Sequence, residues 1–94
     1  MALDTLYDDT ANGEGDIVEI TGDFELQVSG GHGGLIRLLK ALGTGSATDD
    51  FDPVEEFTGS AHRYITNPNT SNFYVDVSRT KETVNKKVTY QTSD

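Results

Sequence analysis

The clearest regularity in the chain is an alternation of apolar and polar positions, the signature of a strand with one face in a core and one in water. Phe24, Leu26 and Val28 alternate with Glu25, Gln27 and Ser29, and Phe73, Val75 and Val77 alternate with Tyr74, Asp76 and Ser78. Shorter runs at Ile17–Thr21, Pro53–Phe57 and Ala61–Thr66 read as further strands, with Tyr64 expected to point inward. A run with Val84, Val88 and Tyr90 closes the series. Pro53 lacks an N–H and therefore marks a strand start or a sheet edge. Leu35–Leu42 is ambiguous. Leu35, Leu38, Leu39 and Leu42 sit at helical spacing, whereas Ile36 and Leu38, with the stem of Lys40, make an inward strand face. Strand neighbours and the marginal length for a helix favour the strand. Turn-forming residues separate the runs at Thr21-Gly22-Asp23, Gly30–Gly34, Gly43–Asp50, Asn67–Asn72 and Lys81–Asn85.

Short strands at this spacing predict an all-β fold, a small antiparallel β-sandwich of six or seven strands with immunoglobulin-like or jelly-roll-like connections. Residues 1–16 break the pattern. They are acidic, carry only Leu3, Leu6 and Tyr7 as sizeable apolar groups after the first residue, and read as an extended N-terminal arm before a sandwich domain at 17–94. Such an arm orders against a partner, and its deletion is expected to leave a folded domain.

Length and composition limit the function. Leu, Ile, Val and Phe make up 22 of the 94 residues. A chain of this size buries only about two-thirds of its unfolded surface. A thin core leaves no room for an enclosed active site, so a binding or structural module is expected rather than an enzyme. There is no cysteine, which excludes disulfides, thiolate metal sites and thiol nucleophiles. No basic, apolar leader opens the sequence and no run approaches a membrane span, so synthesis as a cytoplasmic product is expected.

Charge adds an asymmetry. The net charge of −9 disfavours nucleic acid and anionic membranes as partners. Residues 1–56 hold thirteen acids and two bases, whereas residues 57–94 hold three acids and five bases. Arg63, Arg79, Lys81, Lys86 and Lys87 are thus candidate contacts to an acidic partner or to the acidic arm of a sister copy, with Leu3, Leu6 and Tyr7 as the arm's apolar anchors.

Other chemistry is weakly signalled. Asp8, Thr10, Asn12, Gly13, Asp16 and Glu19 follow the spacing of a calcium loop in part, but Thr10 is a poor ligand and neither flank reads as a helix. Asp49, Asp50, Asp52, Glu55 and Glu56 form an acidic cluster that reads better as a solvated strand edge than as a hydrolase site. His32 and His62 have no partners at metal or triad spacing, and Gly30–Gly34 lacks the order of a phosphate loop. No catalytic residue, cofactor or metal is assigned.

The order of motifs resembles a known group. Gly22-Asp23-Phe24-Glu25-Leu26-Gln27-Val28-Ser29-Gly30 precedes a strand with Ile36, Leu38 and Lys40. Phe51-Asp52-Pro53-Val54-Glu55-Glu56-Phe57-Thr58-Gly59 and Asn72-Phe73-Tyr74-Val75-Asp76-Val77-Ser78 follow. Across residues 17–79 this is similar to the small β-sandwich virion proteins of tailed bacteriophages, which serve as head decoration proteins, head fibres or tail accessories. Phe51 stands in the region of their usual tryptophan, and Leu39, Ala41 and Leu42 make the third segment more apolar than theirs. The resemblance implies a non-enzymatic structural protein located in the virion and made in the host cytoplasm. A capsid decoration role is the leading assignment, with the major capsid protein or other virion proteins and sister copies as partners. A tail or fibre component is the alternative within that class. A separate alternative is a small carbohydrate- or receptor-binding sandwich using Tyr64, Tyr74 and Tyr90.

Overall fold

The computed structural model describes residues 3–30, 33–42 and 51–92. Among these residues there are nine strands and no helix: β1 (Asp4–Asp9), β2 (Gly13–Glu14), β3 (Val18–Thr21), β4 (Phe24–Ser29), β5 (Leu35–Leu42), β6 (Asp52–Phe57), β7 (Ala61–Ile65), β8 (Thr70–Ser78) and β9 (Lys86–Thr92). Every pair is antiparallel. One sheet runs β1-β9-β4-β7 and the other β2-β8-β5-β6, with β3 continuing β2 along the same edge of β8.

These orders define the topology. Taking β2 and β3 as one interrupted strand, the first pairs the last (β1 with β9), the second the next to last (β2 and β3 with β8), then β4 pairs β7 and β5 pairs β6. Successive pairs alternate between the two sheets, as when one long hairpin is rolled up. That is a jelly roll, and it decides between the two connectivities compatible with the strand pattern. Gly15 marks the interruption: its N–H bonds the Val75 carbonyl at 2.8 Å, and a Cβ there would lie 2.6 Å from the Leu6 carbonyl oxygen.

The extended arm expected at 1–16 needs correction. β1 is an integral edge strand, paired with β9 from Asp4↔Tyr90 to Asp9↔Lys86, and β2 pairs Gly13 and Glu14 with Val77 and Asp76. These are the two strands beyond the expected seven. Leu6 and Tyr7 lie in this chain's own core, at 4% and 8% exposure, so they are not anchors for a neighbour. The register shifts between Thr5 and Tyr7. That bulge turns two consecutive side chains to the same face, which a regular strand cannot do.

The core lies between the sheets. Phe24 meets Phe73 edge to face across it, centroids 5.1 Å apart, and Tyr90 at 5.8 Å. Ile20, Leu26, Val28, Ile36, Leu38, Phe57, Ile65, Val75, Val77 and Val88 fill the remainder. The strand reading of Leu35–Leu42 is borne out, and its helical spacing has a physical origin. Ile36 and Leu38 face the core, while Leu39 and Ala41 on the opposite face pack with Phe51 and Tyr74 in a second cluster, the two rings 4.9 Å apart. A strand buried on both faces loses its alternation. Tyr64, expected inward, is instead 60% exposed: Ala61 and Ile65 set the inward parity of β7 and place Tyr64 on the other face.

Removing residues 2–9 is therefore expected to abolish the cooperative unfolding transition, because it strips the edge of β9 and takes Leu6 and Tyr7 from the core. Far-ultraviolet circular dichroism with urea titration measures this. A truncated chain with the parent's midpoint would contradict the pairing of β1 with β9.

Candidate functional site

The candidate contact residues are scattered by the fold rather than gathered. Leu3 is exposed on the outer face of the β1-β9-β4-β7 sheet. Arg63 shares the inward parity of Ala61 and Ile65; its guanidinium lies 5.4 Å from the centre of the Phe57 ring and donates to the His62 carbonyl at 2.9 Å. Inward charge at an edge strand discourages edge-to-edge pairing. Arg79, Lys81 and Lys87 are exposed.

Lys86, expected at the surface, is fully buried. Its parity with Val88 and Tyr90 turns it inward, where its ammonium donates to the Thr10 carbonyl and, at 3.0 Å, to the Lys81 carbonyl. A buried charge is tolerable only when its hydrogen bonds are made. This one ties the β1–β2 turn to the β8–β9 loop. Asn12 strengthens the tie: its amide donates to the Thr80 carbonyl at 3.2 Å, and its Oδ1 accepts from the Thr80 N–H at 3.1 Å and from the Thr80 hydroxyl.

The same contacts dispose of the calcium-loop reading. The Thr10 carbonyl faces the chain's own ammonium, Asp8 accepts from the Asn85 amide at 2.8 Å, and Asn12 is committed to Thr80. Among the described residues no group of three or more His, Asp or Glu side chains is placed to hold a metal ion. Of the acidic cluster, Asp52, Glu55 and Glu56 lie along the edge strand β6, while Asp49, Asp50 and His32 fall outside the described residues. His62 is exposed on β7 opposite Gln27. Asn67, legible only as a turn former, clamps the other end of the roll. It is buried; its amide donates to the Ile20 and Gly22 carbonyls at 3.1 and 3.2 Å, and its N–H to Asp23 at 2.6 Å.

Electrostatically, most cations are already engaged. Arg37 pairs with Asp76 at 2.6 Å, and that hydrogen bond raises its pKa further. Lys40 lies 5.9 Å from the centre of the Phe73 ring. Arg79, Lys81 and Lys87 have no side-chain partner among the described residues, and all three lie in or beside the β8–β9 loop. Arg79 also holds a left-handed backbone, φ 59°, unusual for a residue with a long side chain. The proposed sugar platform of three tyrosines does not form, since Tyr74 and Tyr90 are buried and Tyr64 alone is exposed.

No family model, curated protein or solved structure matches the chain.

Two measurements test the site. Lys86→Met removes the ammonium's hydrogen bonds to the Thr10 and Lys81 carbonyls and should cost about 1.5–3 kcal/mol in urea unfolding; Lys87→Met on the exposed face should be near neutral. Equal effects would remove the special role of Lys86. The second is alkaline unfolding. Burial pushes the Tyr7, Tyr74 and Tyr90 hydroxyls up, helped by Asp9 at Tyr7, Glu14 at Tyr74 and Asp4 at Tyr90. The unfolded chain ionises its tyrosines near pH 10, so this contribution is whole below about pH 10 and is lost as pH rises through the higher folded values. A flat stability profile across that range would refute it.

Proposed function

We propose that this protein is a non-enzymatic structural component of a tailed-phage virion, a head decoration protein that binds the major capsid lattice and sister copies. The observation that carries this reading is the confinement of Arg79, Lys81 and Lys87, the exposed cations with neither an ion pair nor a ring contact among the described residues, to one end of a molecule of net charge −9. Asn12 and Lys86 hold that end rigid, so an acidic surface meets it with little ordering cost. The strand motifs shared with phage virion sandwiches supply the identity of the partner. In support of a structural role, the polar groups most suggestive of chemistry, Asp8, Asn12 and Lys86, are spent on holding the roll together.

The test is copy counting by mass spectrometry in purified particles, heads separated from tails. Hundreds of copies with heads support the decoration role, a handful with tails move the protein to a fibre or adaptor, and absence from both removes the virion reading. Exchanging Arg79, Lys81 and Lys87 for Glu should abolish attachment while leaving the unfolding midpoint near that of the parent.

A further inference from the structure

Among the described residues, the outer face of the β1-β9-β4-β7 sheet is largely exposed, with Thr5, Glu25, Gln27, His62 and Tyr64 open to solvent. On the opposite sheet the corresponding face is occupied by Leu39, Ala41, Phe51 and Tyr74 and by the Arg37–Asp76 pair. Strand register arranges the open face in rows. Thr5, Thr89, Gln27 and His62 stand side by side across four strands, a span of about 14 Å at the usual strand spacing. Gln91, Glu25 and Tyr64 form the next row.

Three features set this face apart from an ordinary solvated sheet. First, it holds both glutamines of the sequence. A carboxamide offers a donor and an acceptor on one planar fork, which suits a pair of neighbouring hydroxyls. Second, Tyr64, the single exposed aromatic residue, is fixed by a 3.0 Å hydrogen bond from its hydroxyl to Asp23. A ring whose polar end is already satisfied offers an apolar plane at small entropic cost. Third, two shallow depressions of about 150 and 200 Å³, each with room for a pyranose ring, adjoin on this face and share Leu3, Gln27 and Thr89 in their walls. Thr89 is only 5% exposed despite facing outward, and forms their floor.

We infer that this face binds a neutral glycan. Sugar rings seat over Thr89, with Gln27, Gln91 and His62 hydrogen-bonding their hydroxyls, and Tyr64, which stands outside both depressions across from Glu25, stacks on a ring that extends beyond them. The net charge of −9, with Glu25 in the second row, disfavours a polyanionic chain despite Lys87 in the wall of one depression. The inference needs no particle, and its surface shares only Lys87, in the wall of one depression, with the cations that carry the virion reading.

The experiment is amide chemical-shift titration of the full chain with cello-, chito-, manno- and galacto-oligosaccharides, and with a sulfated oligosaccharide as polyanionic control. At least one neutral series should shift residues in β4, β7 and β9 saturably. Tyr64→Ala and Gln27→Ala should each weaken that binding about tenfold, the scale of losing one stacked ring or one buried hydrogen-bonded pair. Lys81→Ala, at the end of the roll, should leave it unchanged. Failure of every neutral series to saturate, preference for the sulfated chain, or equal binding by the parent and both face variants would overturn the inference.

Discussion

The structure depends on the pairing of its first strand with its last. In a rolled hairpin every other pair is nested inside that one, so β1 against β9 is the contact that closes the sheet and covers Leu6 and Tyr7. Lys86 reinforces it, because the residue that pairs with Asp9 across the two strands also reaches the carbonyls of Thr10 and Lys81. Such long-range closure must be reached before it contributes stability, so this topology is expected to fold slowly for its size.

A core of so few large apolar residues is extended by the stems of its cations. Lys40 covers Phe73, Arg63 covers Phe57, and Lys86 lies wholly inside. Each stands at an inward strand position near an edge or end of a sheet, where its hydrocarbon stem covers apolar surface while its charge finds a ring or a carbonyl. The excess of bases in residues 57–94 thus has two separate origins. Arg63 and Lys86 belong to the architecture, whereas Arg79, Lys81 and Lys87 are exposed.

What was legible in the sequence follows the same division. β4 and β8 alternate cleanly because each buries mainly one face, and the fold class follows from strands of that kind. β1 was hidden by its bulge, which sets Leu6 beside Tyr7 and erases the alternation, and by the acids around it, which imitate a solvated tail. β5 imitated a helix because Leu38 and Leu39 serve different clusters. Lys86 could have been found: its parity with Val88 and Tyr90 puts it on the core face, a signal outweighed by the expectation that lysine lies outside. Asn67 had no such signal, since its role depends on the Ile20 and Gly22 carbonyls, remote in sequence and adjacent only once β3 and β8 pair.

The fold sets the exposed cations at the end of the roll beside the polar sheet face, with Lys87 common to both. The β1–β2 and β8–β9 connections meet at one end of the roll, tied through Asn12, Thr80 and Lys86, and there Arg79 and Lys81 project. The polar rows of Thr89, Gln27 and His62 lie along a sheet face instead. Lys87 is the residue that touches both, since it stands on the outer face of β9 opposite Ser29 and beside the loop.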